Sequence, residues 1–159
     1  MIEIIEYDSN YDEDIKGLLL ELQEHIASID REKYNVVTNA YKEEQFRADM
    51  QAVQENHGKI FLALADNIVA GLIIGTITEA IDAYDFKAPK SGKVLELVVS
   101  KRYRTNGIGQ ALMNQMETYF KNAGCKRILV EVFEYNELAK RFYDKNNFFN
   151  RTIDMMKKL

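Results

Sequence analysis

The segment Ile60–Ile81, IFLALADNIVAGLIIGTITEAI, most constrains what this chain can fold into. It is the one stretch apolar enough to test as a membrane span. Asp66 and Asn67 sit inside it, and neither apolar half approaches the ~20 residues a spanning helix needs. Asp and Asn tolerate left-handed turn conformations, so the segment reads as two strands, about Lys59–Ala65 and Ile68–Glu79, joined by a tight turn. No membrane association is expected.

The rest of the chain supplies partners for that hairpin. "IEIIEY" reads as a first strand. Ile15, Leu18, Leu19, Leu22, Ile26 and Ile29 recur at helical spacing, with Asp12–Asp14 placed to suit the helix dipole. Phe46, Met50 and Val53 suggest a second helix before Gly58. Asp82–Gly92, DAYDFKAPKSG, reads as a polar loop holding the only proline, Pro89, of the kind expected to border a binding site and to be more mobile than the strands around it. Lys93–Ser100, KVLELVVS, is a β-branched strand. Ile108, Ala111, Leu112, Met116, Tyr119 and Phe120 form a helical stripe ended by Gly124. Arg127–Phe133 is another strand and Asn136–Lys145 a short helix. The final FFNRTIDMMKKL carries strand-like residues. The order β-α-α-β-β-β-α-β-α-β is that of a mixed α/β domain.

Length and composition set bounds on function. The chain has 159 residues, 47% hydrophobic and 29% charged, which suits one globular domain spanning 1–159. The net charge of -4 argues against nucleic-acid binding, which needs a basic surface. A single cysteine, Cys125, permits no internal disulfide and suits a reducing compartment. Met1–Tyr7 holds two glutamates and no basic region, unlike a secretory leader. A cytoplasmic location is the expectation. His25 and His57 lack metal-ligand spacing, so no metal is expected. Cys125 reads as a small buried hydrophobe.

The stretch Ser100–Leu112, SKRYRTNGIGQAL, places three cations and two glycines between a strand and a helix. A helix start exposes unpaired N–H groups and the positive end of its dipole. Gly107 and Gly109 remove side chains there, so a phosphate can meet the backbone closely. Lys101, Arg102 and Arg104 add charge. A chance R-x-x-G-x-G would occur in roughly 4% of chains this long, so position after a strand and before a helix carries more weight than spacing. No G-K-[ST] follows, which excludes a Walker loop, and the third glycine of a dinucleotide fingerprint is missing.

LELVVSKRYRTNGIGQALM resembles the acetyl-CoA motif of the GNAT acetyltransferase superfamily: an apolar strand, then [RQ]-x-x-G-x-[GA], then a helix. Arg104, Gly107 and Gly109 occupy the motif positions. A second family motif, N-x-x-A-x-x-F-Y-x-x-x-x-F, is met by Asn136, Ala139, Phe142, Tyr143 and Phe148. The resemblance covers about Lys59–Leu159; the N-terminal helices match in type and order. Two positions depart from the family pattern. Asn147 replaces the usual glycine, and Lys101 stands where proline is common. Asn also adopts the left-handed conformation.

The resemblance implies a GNAT-like, mostly antiparallel sheet flanked by helices, with a splayed central strand pair forming an acetyl-CoA wedge. It implies a bulge in Leu97, Val98 and Val99, and pantetheine pairing with that free edge. A backbone N–H near Val99 would hold the thioester carbonyl. Amides of Thr105, Asn106, Gly107, Ile108, Gly109 and Gln110 would cradle the pyrophosphate, with Arg104 beside them. Asn136 would meet the pantetheine arm or the helix start. Tyr143 would protonate the departing thiolate. Glu96, which alternation points away from Leu95 and Leu97, is the candidate base for the acceptor ammonium. The structural alternatives are a solvated or ion-paired Glu96 and a core tyrosine at 143.

The activity implied is acetyl transfer from acetyl-CoA, without metal, to a small-molecule or peptide primary amine by direct attack. The rival reading is a non-catalytic acyl-CoA-binding or interaction domain of the same fold. The resemblance is compatible with a homodimer.

Overall fold

The computed structural model describes residues 1–159. Strands β1 (Ile2–Glu6), β2 (Lys59–Ala65), β3 (Ile68–Thr78), β6 (Ser91–Val99) and β7 (Arg127–Val130) form one sheet in the order β1-β2-β3-β6-β7. All neighbours run antiparallel except β6 and β7, which are parallel. Helices α1 (Asp12–Ile29) and α2 (Tyr41–Glu55) cover one face. Helices α3 (Ile108–Asn122) and α4 (Glu137–Lys145) cover the other. The architecture is the mixed α/β, mostly antiparallel sheet that the sequence predicts.

The apolar hairpin lies at the centre because both its faces are covered. Leu72 and Ile74 of β3 pack with Ile15, Leu18 and Leu19 of α1. Ile73 and Ile77, on the opposite face, pack with Leu112, Met116 and Phe120 of α3. A strand buried on both faces has no reason to alternate polar and apolar residues, which explains the continuous run. Asp66 and Asn67 turn the hairpin with φ of 50° and 66°, the paired left-handed conformation of a tight two-residue turn. Helix α3 lies hard against the sheet at Gly92, where a Cβ would stand 2.4 Å from the Phe120 ring. That approach fixes the line along which α3 leaves the sheet.

Three expectations about the elements are corrected. Asp82–Gly92 is not a plain loop: β4 (Ile81–Asp82) and β5 (Lys87–Ala88) form a small hairpin, closed by the Ala83 N–H donating to the Phe86 carbonyl at 2.9 Å. The C-terminal FFNRTIDMMKKL contains no strand. Its apolar side chains Phe149, Ile153 and Met155 are exposed, with no sheet edge or helix holding them. Finally, β7 ends at Val130 rather than Phe133, because beyond that residue β6 no longer runs beside it.

Candidate active site

The site begins where β6 and β7 part. They pair only from Ser91↔Arg127 to Val94↔Val130. The closed end is pinned by Ser91, whose hydroxyl donates to the Pro89 carbonyl at 2.7 Å and accepts from Arg127 Nε at 2.8 Å. Past Val94 the strands separate, and a cavity of about 340 Å³ opens between Leu95–Leu97 and Val130–Phe133. This is the splayed pair that the resemblance implies.

The splay coincides with a bulge, but not at Leu97–Val99 as expected. Gly75 faces Val94 and Ile74 faces Glu96, so Leu95 is the extra residue of β6. A bulge puts two consecutive residues against one on the partner and resets the alternation. Val94 therefore packs on the α3 side, while Leu95 and Val98 pack on the α1/α2 side. Glu96 also turns toward α2, where Gln45 meets it. Glu96 shares its side with Leu95, contrary to simple alternation, and opposes Leu97.

Past the bulge, β6 keeps its partner β3 as far as Gly71↔Val99. The Ser100 N–H donates to the Ala70 carbonyl at 2.9 Å. Because alternate residues bond to the same neighbour, the Val99 and Leu97 main-chain groups face the open side. One of them is already used: the Val99 carbonyl accepts from Arg104 Nε at 3.0 Å. Arg104 thus ties the following loop to the strand end. Lys101, at the position where the family commonly has proline, uses the N–H that proline lacks, donating to Glu21 Oε1 at 2.7 Å.

Helix α3 then starts at an anion-ready terminus. Gly107 precedes it with φ 77°, and no side chain caps it. Ala111 N–H is the first to reach back, to the Gly107 carbonyl at 3.0 Å. Those of Ile108, Gly109 and Gln110 are left without an intrahelical acceptor. No atom lies within 4 Å of where a Cβ of Gly107 would stand. Thr105, at φ 70°, and Gly107 both adopt left-handed backbone, turning successive amides outward. The residues present fit a pyrophosphate.

On the opposite wall, Asn136 caps α4 by accepting the Ala139 N–H at 3.2 Å, and it lines the cavity. Tyr143 is 8% exposed, with its ring set edge-on to Phe142 and Phe148. Burial, and secondarily the Glu96 charge, raise its phenol well above the usual value. Asn147 ends the helix at φ 63°, so asparagine supplies the left-handed residue that glycine usually provides. Glu96 is pushed up to about 8, chiefly by burial and next by the Asp49 charge.

The cavity is closed by residues that have no individual part in the site as read from the sequence. Leu22, Gln23 and Ile26 of α1, Tyr41 and Gln45 of α2, and Asn35 between them form its third wall. The connection is organised by Asp30, only 2% exposed. Its carboxylate accepts the N–H groups of Glu32, Tyr34 and Asn35, together with Asn35 Nδ2. Those bonds hold its pKa down at about 2 against the opposing effect of burial. Arg31 stacks over Tyr135 at 4.6 Å, and Tyr135 donates to Glu32. These contacts strap the connection to the residues after β7. The Asp82–Gly92 segment contributes nothing to the lining. Its register, Thr78↔Ser91, places it at the closed end of the wedge.

No group of three or more His, Cys, Asp or Glu residues is placed to hold a metal ion. No helix is long and apolar enough to cross a membrane.

Comparison with known proteins agrees with this geometry. An uncharacterized N-acetyltransferase of Methanocaldococcus jannaschii is 33% identical over 94 residues, 58% of this chain and 54% of that protein. The chain thus matches about half the length of that relative. Glucosamine 6-phosphate N-acetyltransferase 1 of Dictyostelium discoideum is 23% identical over 116 residues, 72% of each chain. A Clostridium acetobutylicum structure, described as a predicted acetyltransferase with acetyl-CoA, shares the fold at a TM-score of 0.70 and 16% identity, over 99% of this chain and 96% of that one. The model of the acetyltransferase (GNAT) family matches residues 21–148, and the chain belongs to that family.

Proposed function

We propose that the protein is an acetyl-CoA-dependent N-acetyltransferase acting on a primary amine by direct attack. The observation that carries this reading is the wedge past Val94. Glu96 and Tyr143 line its cavity, and the open β6 edge runs on from there to Val99, to which the loop before the uncapped start of α3 is tied.

The open edge of β6 would pair with the pantetheine amides, and the outward N–H groups near Gly107 would hold the pyrophosphate. The Val99 N–H would donate to the thioester oxygen as it gains charge. Acetyl-CoA supplies the activated acetyl group. Glu96 takes a proton from the acceptor ammonium, freeing a nitrogen lone pair that forms the C–N bond while the C–S bond breaks. Tyr143 gives its proton to the sulfur, and the second proton that the nitrogen sheds in becoming an amide restores the phenol. A raised phenol is a weak acid, yet two factors lessen the mismatch. The burial that raises Tyr143 also disfavours the thiolate. Glu96, once protonated, no longer opposes ionisation of Tyr143.

The acidic groups on the cavity wall are Glu96 and Glu131, and no lysine or arginine lines it. This favours an amine without a phosphate or carboxylate, unlike the substrate named for the Dictyostelium relative. Thiol release from acetyl-CoA should be measured with a panel of primary amines that includes glucosamine 6-phosphate. Turnover with uncharged-bodied or polycationic amines is expected. CoA binding with no turnover on any amine would instead favour a non-catalytic binding domain.

A further inference from the structure

Asp49, on α2, is a buried acid that the mechanism above does not use. It is 5% exposed. Its Oδ1 accepts from Gln45 Nε2 at 3.0 Å. Its Oδ2 is the one buried side-chain oxygen or nitrogen without a partner. The same Gln45 nitrogen donates to Glu96 Oε1 at 3.4 Å. One amide therefore uses its two hydrogens to join two carboxyl groups from different elements. A bare carboxylate left half-satisfied in a core is costly, and packing needs no acid there: Met50 and Val53 already fill that face of α2.

We propose that Asp49 is a positioning residue for Glu96, its buried acidic neighbour, holding the Glu96 carboxyl toward the cavity through the Gln45 amide. This rests on the reading of Glu96 as the base. Two carboxyl groups so linked cannot both ionise cheaply, so the pair loses its protons in two steps. Asp49 is raised to about 6 by burial, against the opposing Gln45 bond, and Glu96 lies higher. The other groups facing the pair do not replace Asp49. Tyr41 of α2 is a phenol raised by burial and by both acids, and Tyr143 of α4 one raised by burial and by Glu96. Glu131, beyond β7, is exposed and ion-paired with Lys93 at 2.9 Å. From α1 the lining residues are Leu22, Gln23 and Ile26, none of which titrates.

The arrangement matters because a carboxylate with an ordinary pKa is a poor base for an ammonium. A base near the working pH accepts the proton more readily. Burial remains the larger cause of the Glu96 shift, so removing Asp49's charge should take away only the part that Asp49 adds and make Glu96 ionise at somewhat lower pH.

The test follows the carboxyl C=O infrared band of the ligand-free full chain against pH, with kcat/KM profiles on a responsive amine. Glu96→Gln identifies the Glu96 band by removing it. Asp49→Asn is expected to move the Glu96 midpoint down by about one unit or more, shift the acidic limb of kcat/KM in the same direction, and lower kcat at the plateau. Gln45→Leu keeps both acids and cuts the bridge, so it decides the matter should the Asn variant not fold. It should lower kcat more than it raises the amine KM. A Glu96 midpoint and kcat unchanged in whichever of these variants folds would overturn the proposal. Wild-type turnover in Glu96→Gln, with the Asp49-dependent midpoint shift intact, would instead remove only the base reading.

Discussion

Arg104 Nε donates to the Val99 carbonyl oxygen at 3.0 Å, joining the last residue of β6 to the loop that opens α3. The two halves of the proposed cofactor site, strand edge and helix terminus, are thereby held at one spacing. A charged donor on a carbonyl contributes about 1.5–3 kcal/mol. Arg104→Ala should weaken CoA binding by about tenfold or more by calorimetry, with the fold retained. Arg104→Lys should recover little, because an ammonium cannot reproduce the Nε direction.

Gly107 adopts φ 77° with open space around it. Valine there would be strained by its backbone conformation and would set a branched side chain over the unpaired amides. Gly107→Val should greatly weaken CoA binding without unfolding the domain. Gly107→Asn, which tolerates the left-handed conformation, should fall between wild type and Val. Equal affinity in all three would show that the pyrophosphate sits elsewhere.

Tyr143→Phe keeps the edge-on ring contacts with Phe142 and Phe148 and removes only the hydroxyl. General acid catalysis contributes ~100- to 10,000-fold. We expect kcat to fall near the lower end of that range, since water can substitute in part, while CoA affinity is unchanged. A Phe variant with wild-type kcat would make Tyr143 a packing residue.

Glu96 also carries a stability signature. Its folded pKa is raised from the ordinary 4.5 to about 8. Between those values the native state binds more protons than the unfolded chain, so stability falls as pH rises through that window. Glu96→Gln removes the dependence. The variant should lose activity yet melt higher than wild type at pH 8, with the difference vanishing toward pH 4. Melting curves across that range decide it. A variant less stable at pH 8 would show that the carboxylate is stabilised rather than penalised in the fold.

Asp30 organises the connection that walls the proposed acceptor side of the cavity, accepting backbone bonds from Glu32, Tyr34 and Asn35. Asp30→Ala should raise the amine KM more than the acetyl-CoA KM. The lowered pKa means that this support is complete above the usual carboxylate range and is lost as pH falls toward about 2. An effect confined to the acetyl-CoA KM would place the acceptor elsewhere.

The strand-to-helix loop proposed as the cofactor half of the site was legible in the sequence because it is local. Arg104, Gly107 and Gly109 lie within six residues, and the role proposed for them depends on main-chain groups that the strand-to-helix order already places. The central hairpin was equally legible, since the Asp66-Asn67 turn and the apolar runs around it are contiguous. What the sequence could not show depends on long-range register. The bulge at Leu95 is defined only against Gly75 and Ile74 of β3, and it alone sends Glu96 toward α2. Gln45 and Asp49 lie 51 and 47 residues before Glu96 in the chain, with no periodic or compositional mark to join them to it. The Asp82–Gly92 segment, polar and long, has the look of a binding loop, but antiparallel pairing with β3 carries it to the closed end of the wedge. Short-range patterns determined which elements form and where unpaired main-chain amides gather; the pairing of distant strands and the packing of α2 on them decided which acids face the cavity.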